Sequence, residues 1–317
     1  MFDSILIPLD GSQLAECILP HAVALGKAFN AKITLLHILD KNQGSASPQL
    51  FDLLNWQINK TEAKLYLERI ADQLQKSGLQ ADAIIDEGLV AESITEFAQS
   101  QEMKMIILSS HGRSGLRKCG IGSVTHKIIL SAPTSVLIVR APHQLKEQSY
   151  KRILVPLDGS WRAENVLPMV TLLAHFHKSQ IQIVHVVKTP EMARHMPPAQ
   201  EDIDLSNQIV ARNREVALHY LEQVELSSSL AGIDVQTQLL VSANATAALH
   251  EVVDREQIDL VALSAHGYSG NSQWPYGSIV NNFILYGKAP LLIVQDLPIK
   301  KEETSQVGVT VREHSEH

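Results

Sequence analysis

The sequence predicts an α/β protein made of two tandem domains, each an open parallel sheet with helices on both faces. The first observation is a duplication, because the segment ILIPLDGS at residues 5–12 recurs as ILVPLDGS at residues 153–160. Ordered self-similarity of this length indicates two copies of one structural unit. The second observation is that short, wholly apolar segments alternate in each copy with segments of helical spacing, as in parallel sheets with right-handed crossovers. We predict domain 1 over residues 1–141, domain 2 over residues 150–297 and a polar tail over residues 298–317.

The elements of the first half follow from its apolar runs and its glycines. The predicted strands cover residues 5–9, 31–38, 81–86, 105–108 and 135–139. The predicted helices cover residues 14–29, a long stretch that stops near Gly78, residues 91–98 and a segment that begins at Gly122. The second half repeats this order up to a last strand at residues 291–294, and the polar residues 141–148 form the linker between the halves.

Composition limits the class of protein. The 317 residues are enough for two cores, and shares of 45% hydrophobic and 19% charged residues are ordinary for a globular chain. A net charge of −7 disfavours nucleic-acid binding, and no apolar run is long enough to span a membrane. Cys17 and Cys119 are too few for a disulfide framework. A cytoplasmic location is the expectation.

A glycine-containing segment follows the fourth strand of each half. In the first half, Ser-Ser-His-Gly at residues 109–112 is followed by nine residues and then by Gly122 and Ser123. In the second half, Ser-Ala-His-Gly at residues 264–267 is followed by nine residues and then by Gly277 and Ser278. The unbonded amides at a helix start, with glycines that allow close approach, suit a phosphate group. The alternative is that these glycines only shape a turn, but the duplication favours a ligand loop.

With these residues in hand, each half resembles a universal stress protein domain, and the chain resembles the tandem members of that family. The motif of the family's ATP-binding branch is Gly-x-x-Gly, nine residues, then Gly followed by Ser or Thr. Ser109 and Ser264 stand where the first glycine of that motif would be. The resemblance implies five parallel strands in the order 3-2-1-4-5 in each domain, a fold like that of the adenine nucleotide alpha hydrolases.

The resemblance further implies an adenine nucleotide, expected to be ATP with Mg²⁺ on its phosphates, at the point where strands one and four diverge. Asp10 and the backbone at Ile38 would hold adenine and ribose, and the residues around Gly112 and Gly122 would hold the phosphates. The expected site of domain 1 comprises Pro8, Leu9, Asp10, Ile38, Ser109, His111, Gly112, Arg113, Gly122, Ser123, Val124 and Thr125. The expected weaker site of domain 2 comprises Pro156, Asp158, Val186, Ser264, Gly267, Gly277, Ser278 and Ile279. Neither catalytic residues nor side-chain metal ligands are predicted.

The two sites are expected to differ in affinity. Residues Arg113, Arg117 and Lys118 give the first loop positive charge, whereas Tyr268, Trp274 and Tyr276 give the second loop bulk without charge. The aromatic residues could stack on the ligand or plug the site. We therefore predict that the first site binds ATP more tightly.

Several alternatives stay open from the sequence. The chain could act as a binding or signalling module, as a slow ATPase, or as a nucleotide-free scaffold with an unknown protein partner. By resemblance, the last strands of the two domains pair with each other, and a homodimer is possible. His111 and His266 could pack the loops or contact ligand, and for His175, His177, His185 and His195 a zinc site is less favoured than solvated or core positions.

Overall fold

Strands and helices alternate through both halves of the chain. The computed structural model describes residues 2–40, 50–112, 120–140, 148–190, 200–227, 230–268 and 275–295, without the side chains of residues 50–54. The strands in these ranges are β1 (Ser4–Pro8), β2 (Lys32–Asp40), β3 (Ala81–Gly88), β4 (Met105–Ser109), β5 (Ser135–Val139), β6 (Arg152–Pro156), β7 (Gln180–Lys188), β8 (Asp234–Ser242), β9 (Leu260–Ser264) and β10 (Leu291–Val294). The α-helices are α1 (Leu19–Phe29), α2 (Leu50–Lys76), α3 (Val90–Ser100), α4 (Ser123–Ser131), α5 (Trp161–Glu164), α6 (Leu167–His177), α7 (Gln200–Glu225), α8 (Ala245–Arg255) and α9 (Ser278–Tyr286).

The described strands form one ten-stranded sheet in the order β3-β2-β1-β4-β5-β10-β9-β6-β7-β8. Each half is parallel and has the order 3-2-1-4-5, which confirms the predicted fold class. The halves join where β5 and β10 pair antiparallel, with Leu137 opposite Leu292. Both strands are wholly apolar apart from Ser135 and are fully buried, so the pairing covers edges that would otherwise attract other chains. The predicted contact between the last strands is therefore present within one chain.

Two hydrophobic cores lie on opposite faces of this sheet. Alternate strand residues point to opposite faces, so Ile5 and Ile7 belong to one core and Leu6 to the other. Helices α1, α2, α6 and α7 cover the first face, and helices α3, α4, α8 and α9 cover the second. Each core includes residues from both halves, so the halves share their interior.

The first helix begins later than predicted. Residues Ala15–Ile18 form a 3₁₀ turn, and α1 starts at Leu19 with Pro20 in its first turn. Proline is tolerated there because the first amides of a helix have no carbonyl partner within it. The long helix predicted to stop near Gly78 is α2, which ends at Lys76. Gly78 has a φ of +87°, a conformation that favours glycine. The proposed linker after residue 140 and the tail from residue 298 lie largely or wholly outside the described residues.

Candidate functional site

The first candidate site lies where β1 and β4 end side by side. Asp10 follows β1, and its Oδ1 accepts a hydrogen bond of 2.9 Å from the amide of Ser12. Its other carboxylate oxygen, Oδ2, lies so close to Gly112 that a Cβ built on the glycine would be 2.2 Å away. Any side chain at this position would force the Asp10 carboxylate to move. Asp10 thus brings the loop after β4 against the end of β1.

Hydrogen bonds fix the start of α4 to the end of β4. The amide of Gly122 donates to the carbonyl of Ser110 at 2.7 Å, and the Thr125 hydroxyl donates to the carbonyl of Ser109 at 3.0 Å. The Ser109 hydroxyl donates to the carbonyl of His111 at 2.8 Å, so this serine shapes the loop. Residues 109–111 and the helix start are therefore joined by hydrogen bonds.

The N-terminus of α4 carries no side-chain cap. Its N-cap residue is Gly122, with a φ of −64° and a ψ of 151°. Ser123 and Val124 in the first turn are exposed, and among the described residues no acceptor bonds the first-turn amides. By contrast, the Ser160 side chain accepts a hydrogen bond from the amide of Ala163 at the start of α5. An uncapped, exposed helix start offers donors and a positive dipole end to an anion.

Pro8, Leu9 and Ile38 complete the wall of the site on the β1–β2 side. The side chains of Leu9 and Ile38 are 3% and 8% exposed, so these residues present mainly backbone groups. The Leu9 amide donates to the carbonyl of Leu36, and a 2.7 Å hydrogen bond joins Nδ1 of His37 to the carbonyl oxygen of Leu9. The end of β1 is therefore held in place from β2.

The second half repeats the geometry of the first. A Cβ on Gly267 would lie 2.1 Å from Oδ2 of Asp158, and the amide of Tyr268 donates to the same oxygen at 2.6 Å. Gly277 is the N-cap of α9, has no side-chain cap and donates its amide to the carbonyl of Ala265 at 2.9 Å. The Ser264 hydroxyl is buried without a hydrogen-bond partner among the described residues. The remaining expected residues flank this edge: Pro156 is buried, Val186 and Ile279 are half-buried, and Ser278 is exposed.

The expectation that Tyr276 stacks on the ligand or plugs the second site is wrong. Tyr276 is 2% exposed, and its hydroxyl donates to the carbonyl of Ile129 in the first half at 2.8 Å. Burial of the tyrosine ring is favourable because its hydroxyl, the one polar atom of the ring, has a hydrogen-bond acceptor in the carbonyl at the end of α4. Tyr268, in contrast, is 86% exposed. The expected contributions of Arg113, Arg117, Lys118 and Trp274 fall outside the described residues.

The sequence interpretation missed a polar cluster that recurs beside each site. In the second half the Tyr220 hydroxyl donates to Glu164 at 2.9 Å, and the rings of Tyr220 and His185 lie 6.0 Å apart. Burial lowers the pKa of His185, and the charge of Asp158 acts in the opposite direction.

The counterparts in the first half are Tyr66, Glu16 and His37, but the Tyr66 hydroxyl is buried without the hydrogen bond that joins Tyr220 to Glu164. Burial and the charges of Glu16 and Asp10 raise the pKa of the Tyr66 hydroxyl. The duplication could have revealed the cluster, because Glu16 and Glu164 both come six residues after the site aspartate.

The histidines of the two loops are buried, whereas in the second half His177 and His185 are half-buried and His175 is exposed. His111 and His266 are buried, and Nδ1 of His111 lies 3.1 Å from the Ser110 hydroxyl, which favours the packing role over ligand contact. His177 packs edge-on against Tyr150. Among the residues that the structure describes, no three His, Cys, Asp or Glu side chains are grouped to hold a metal. His195 is outside those residues.

In each half the parallel strands have the order 3-2-1-4-5, and a helix that begins at a glycine lies at the switch in strand order. In the class of open α/β proteins with this arrangement, ligands bind at the carboxyl ends of the strands. The model of the universal stress protein family matches residues 1–140 and 149–295. The chain therefore belongs to the universal stress protein family, as a tandem member. None of the described helices is long and apolar enough to cross a membrane.

Similar proteins include both single-domain and full-length relatives. Universal stress protein YxiE of Bacillus subtilis is 31% identical over 149 residues, covering 44% of this chain and 100% of the relative. Universal stress protein Slr1230 of Synechocystis is 22% identical over 311 residues, covering 91% of this chain and 98% of the relative. A crystal structure of a universal stress protein from Archaeoglobus fulgidus superposes with a TM-score of 0.66 at 18% identity, over 94% of this chain and 100% of that one. At that identity the match shows the fold alone.

Proposed function

We propose that this protein binds an adenine nucleotide, ATP with Mg²⁺ on its phosphates, at each of the two candidate sites. It acts in the cytoplasm as a binding or signalling module of the stress response. The observation that carries the proposal is the uncapped start of α4, fixed beside the Asp10–Gly112 contact and repeated at α9 beside Asp158 and Gly267. Amides of a helix start bind phosphate oxygens, and the strand ends beside them supply the wall for base and ribose.

Binding rather than turnover is proposed because hydrogen bonds and close packing hold the acidic residue of each site against its own loop. Asp10 accepts from the amide of Ser12 and packs on Gly112, and Asp158 accepts from the amides of Ser160 and Tyr268. A general base for water attack must reach the water with its carboxylate available. A phosphate-release assay with the full chain measures turnover; steady release that is lost in a Gly122→Val variant would assign a slow ATPase instead.

The test uses valine at the two N-cap glycines. A Cβ at Gly122 would lie 3.4 Å from the carbonyl oxygen of Ser110, and one at Gly277 would lie 3.7 Å from that of Ala265. Both residues have φ values that any residue adopts. A Cβ meets only ordinary contacts at either position, so we expect valine to fold and its methyl groups to obstruct the path to the first-turn amides. Titration calorimetry with ATP and magnesium should show two sites in the wild type, one in each single variant and none in the double variant.

The expected loss at each altered site is at least tenfold in affinity, since about 1.5–3 kcal/mol accompanies each hydrogen bond to a charged group. AMP is the matched ligand, because it lacks two of the three phosphates and should lose less affinity in the variants. Thermal melting reports whether each variant is folded. Unchanged ATP affinity in a folded double variant would remove the assigned sites, and failure of the wild type to bind nucleotide would leave the scaffold function.

The single-site variants also test the predicted inequality of the sites. The Gly277→Val protein keeps the first site, whose loop contains Arg113, Arg117 and Lys118, and the Gly122→Val protein keeps the second. Because positive charge attracts the triphosphate, we expect the Gly277→Val protein to bind ATP more tightly, and its advantage to shrink as salt is raised. Equal affinities would mean that loop charge does not set occupancy.

A further inference from the structure

The C-terminal end of each phosphate-loop helix is bonded by the opposite half of the chain. In α4 the carbonyl of Ile129 is one of the last four, which have no amide partner within the helix. The hydroxyl of Tyr276 from the second half donates to it at 2.8 Å. Tyr276 immediately precedes Gly277, the N-cap of α9. The buried side chain of Tyr276 therefore links the C-terminal end of α4 to the start of α9.

The reverse contact is made by an arginine. Arg140 follows β5 in the first half, and its Nη2 donates to the carbonyls of Phe283 and Ile284 at the end of α9. Ile129 and Ile284 occupy equivalent positions, each seven residues after the N-cap glycine of its helix. The equivalent carbonyl in each helix thus accepts a hydrogen bond from the opposite half, from Tyr276 in α4 and from Arg140 in α9.

We propose that Tyr276 is a positioning residue through which occupancy of the first nucleotide site raises the affinity of the second. This inference rests on the proposed nucleotide binding. Phosphate bound by the first-turn amides of α4 orders the helix as a whole, and it polarises the hydrogen bonds that run from the helix start towards the carbonyl of Ile129. The hydrogen bond from the Tyr276 hydroxyl to Ile129 then strengthens. Because Tyr276 is covalently joined to Gly277, this bond also restricts the start of α9.

The sign of the coupling follows from pre-ordering. A second ligand that binds an already ordered helix start loses less conformational freedom, so its affinity rises. The coupling is reciprocal, because linkage requires each ligand to change the affinity of the other by the same factor. The contact between α4 and Tyr276 is short, buried and made by an uncharged group, so salt should leave the coupling intact while it weakens binding at both sites.

The experiment compares the second site with the first site filled and empty, in the full chain. In the wild type, the weaker of the two ATP binding steps reports the second site with the first filled. In Gly122→Val the same site is measured with the first empty. We expect the dissociation constant to be about fivefold or more higher in Gly122→Val, within the usual range of coupling between sites. In a Tyr276→Phe background, which removes only the hydroxyl, this ratio should fall to about one.

Tyr286→Phe is the matched control, since Tyr286 is 63% exposed at the end of α9. Its ratio should equal that of the wild type. Hydrogen exchange gives a second readout that does not depend on ligand at the second site. In Gly277→Val, ATP bound at the first site should slow exchange of the amides of residues 278–280, and in the Tyr276→Phe, Gly277→Val double variant it should not.

The outcomes separate this proposal from the proposed function. A ratio of about one in the wild-type background, with both sites binding ATP, overturns the coupling and leaves nucleotide binding intact. A ratio that persists in Tyr276→Phe overturns the role of Tyr276. Absence of ATP binding by the wild type overturns both proposals.

Discussion

At the scale of single residues, the contact between an aspartate and a glycine sets the geometry of each site. Oδ2 of Asp10 and of Asp158 occupies the space where the facing glycine would have its Cβ. The carboxylates accept amide hydrogen bonds at the same time, so their position is fixed from two directions. Gly112 and Gly267 do not have positive φ values, so the backbone conformation does not require glycine at either position. Glycine is needed there because the aspartate oxygen occupies the space of a Cβ.

A Gly112→Ala substitution should therefore destabilise the protein. Its Cβ would lie 2.2 Å from Oδ2 of Asp10, and overpacking of this kind costs about 1–3 kcal/mol. Gly122→Ala is the control, because its Cβ meets its nearest neighbour at 3.4 Å and should cost less than about 1 kcal/mol. Urea unfolding measures both. In Asp10→Ala, Gly112→Ala the losses should be less than additive, and strict additivity would show that the two residues do not clash.

At the scale of elements, the pairing of β5 with β10 turns two five-stranded sheets into one. Val136, Leu137 and Ile138 face Ile293, Leu292 and Leu291 across this junction, and all six are buried. The outer edges are β3 and β8, and β3 carries Asp82, Asp86 and Glu87, charges that discourage further pairing. Apolar edges thus meet inside the chain, and β3 places charged residues at an outer edge.

Lysine at Leu137 or Ile293 should separate the halves, because both side chains are fully buried. An uncompensated buried charge costs roughly 3–5 kcal/mol. Small-angle scattering should show a larger radius of gyration and limited proteolysis should release fragments of half the chain length. Val241→Lys on the outer strand β8 is the control, since Val241 is 44% exposed. Unchanged scattering and proteolysis in the junction variants would mean that this pairing does not hold the halves together.

At the scale of the whole molecule, the two halves share more than a strand pair. On one face α1 packs near α6, and Nδ1 of His21 is joined to the hydroxyl of the fully buried Tyr150 by a 2.8 Å hydrogen bond. His177 packs edge-on against the same ring. On the other face, Tyr276 and Arg140 cross the junction. Isolated halves would expose both sets of buried groups, and for that reason site variants in the full chain are better tests than separated domains.

The buried histidine makes stability depend on pH. Burial lowers the pKa of His21 from its ordinary 6.5 to about 4. The unfolded chain therefore binds the proton first, so the stabilisation is complete above pH 6.5 and is lost as the pH falls towards 4. His21 alone should cost the wild type about 2 kcal/mol of unfolding free energy at pH 5.

A His21→Gln variant keeps a hydrogen-bonding side chain but does not titrate. Its stability should fall less than that of the wild type between pH 7.5 and pH 5 in urea unfolding. His219→Gln is the control, because the side chain of His219 is 72% exposed. Parallel pH profiles for His21→Gln and the wild type would exclude His21 as the source of the acid sensitivity.

The sequence by itself determined the duplicated α/β architecture and the positions of the site aspartates and of the glycines at the two helix starts. These features follow from local patterns: apolar runs long enough for buried strands, glycines at strand ends and a duplicated Asp-Gly-Ser turn. Such patterns act over a few residues, and the repeat shows each of them twice. The N-cap role of Gly122 and Gly277 could be predicted for the same reason.

The tertiary structure alone decided what the side chains near the sites do. In the sequence Tyr276 looks like a residue of the second loop, but its hydroxyl bonds a carbonyl 147 positions earlier. His21 and Tyr150 meet across 129 positions, and the Asp10–Gly112 contact depends on the separation of two strand ends. Contacts between distant residues depend on how the helices pack on the sheet. A polar atom that this packing buries forms a hydrogen bond with a partner that the packing brings close to it. No spacing in the sequence encodes that choice.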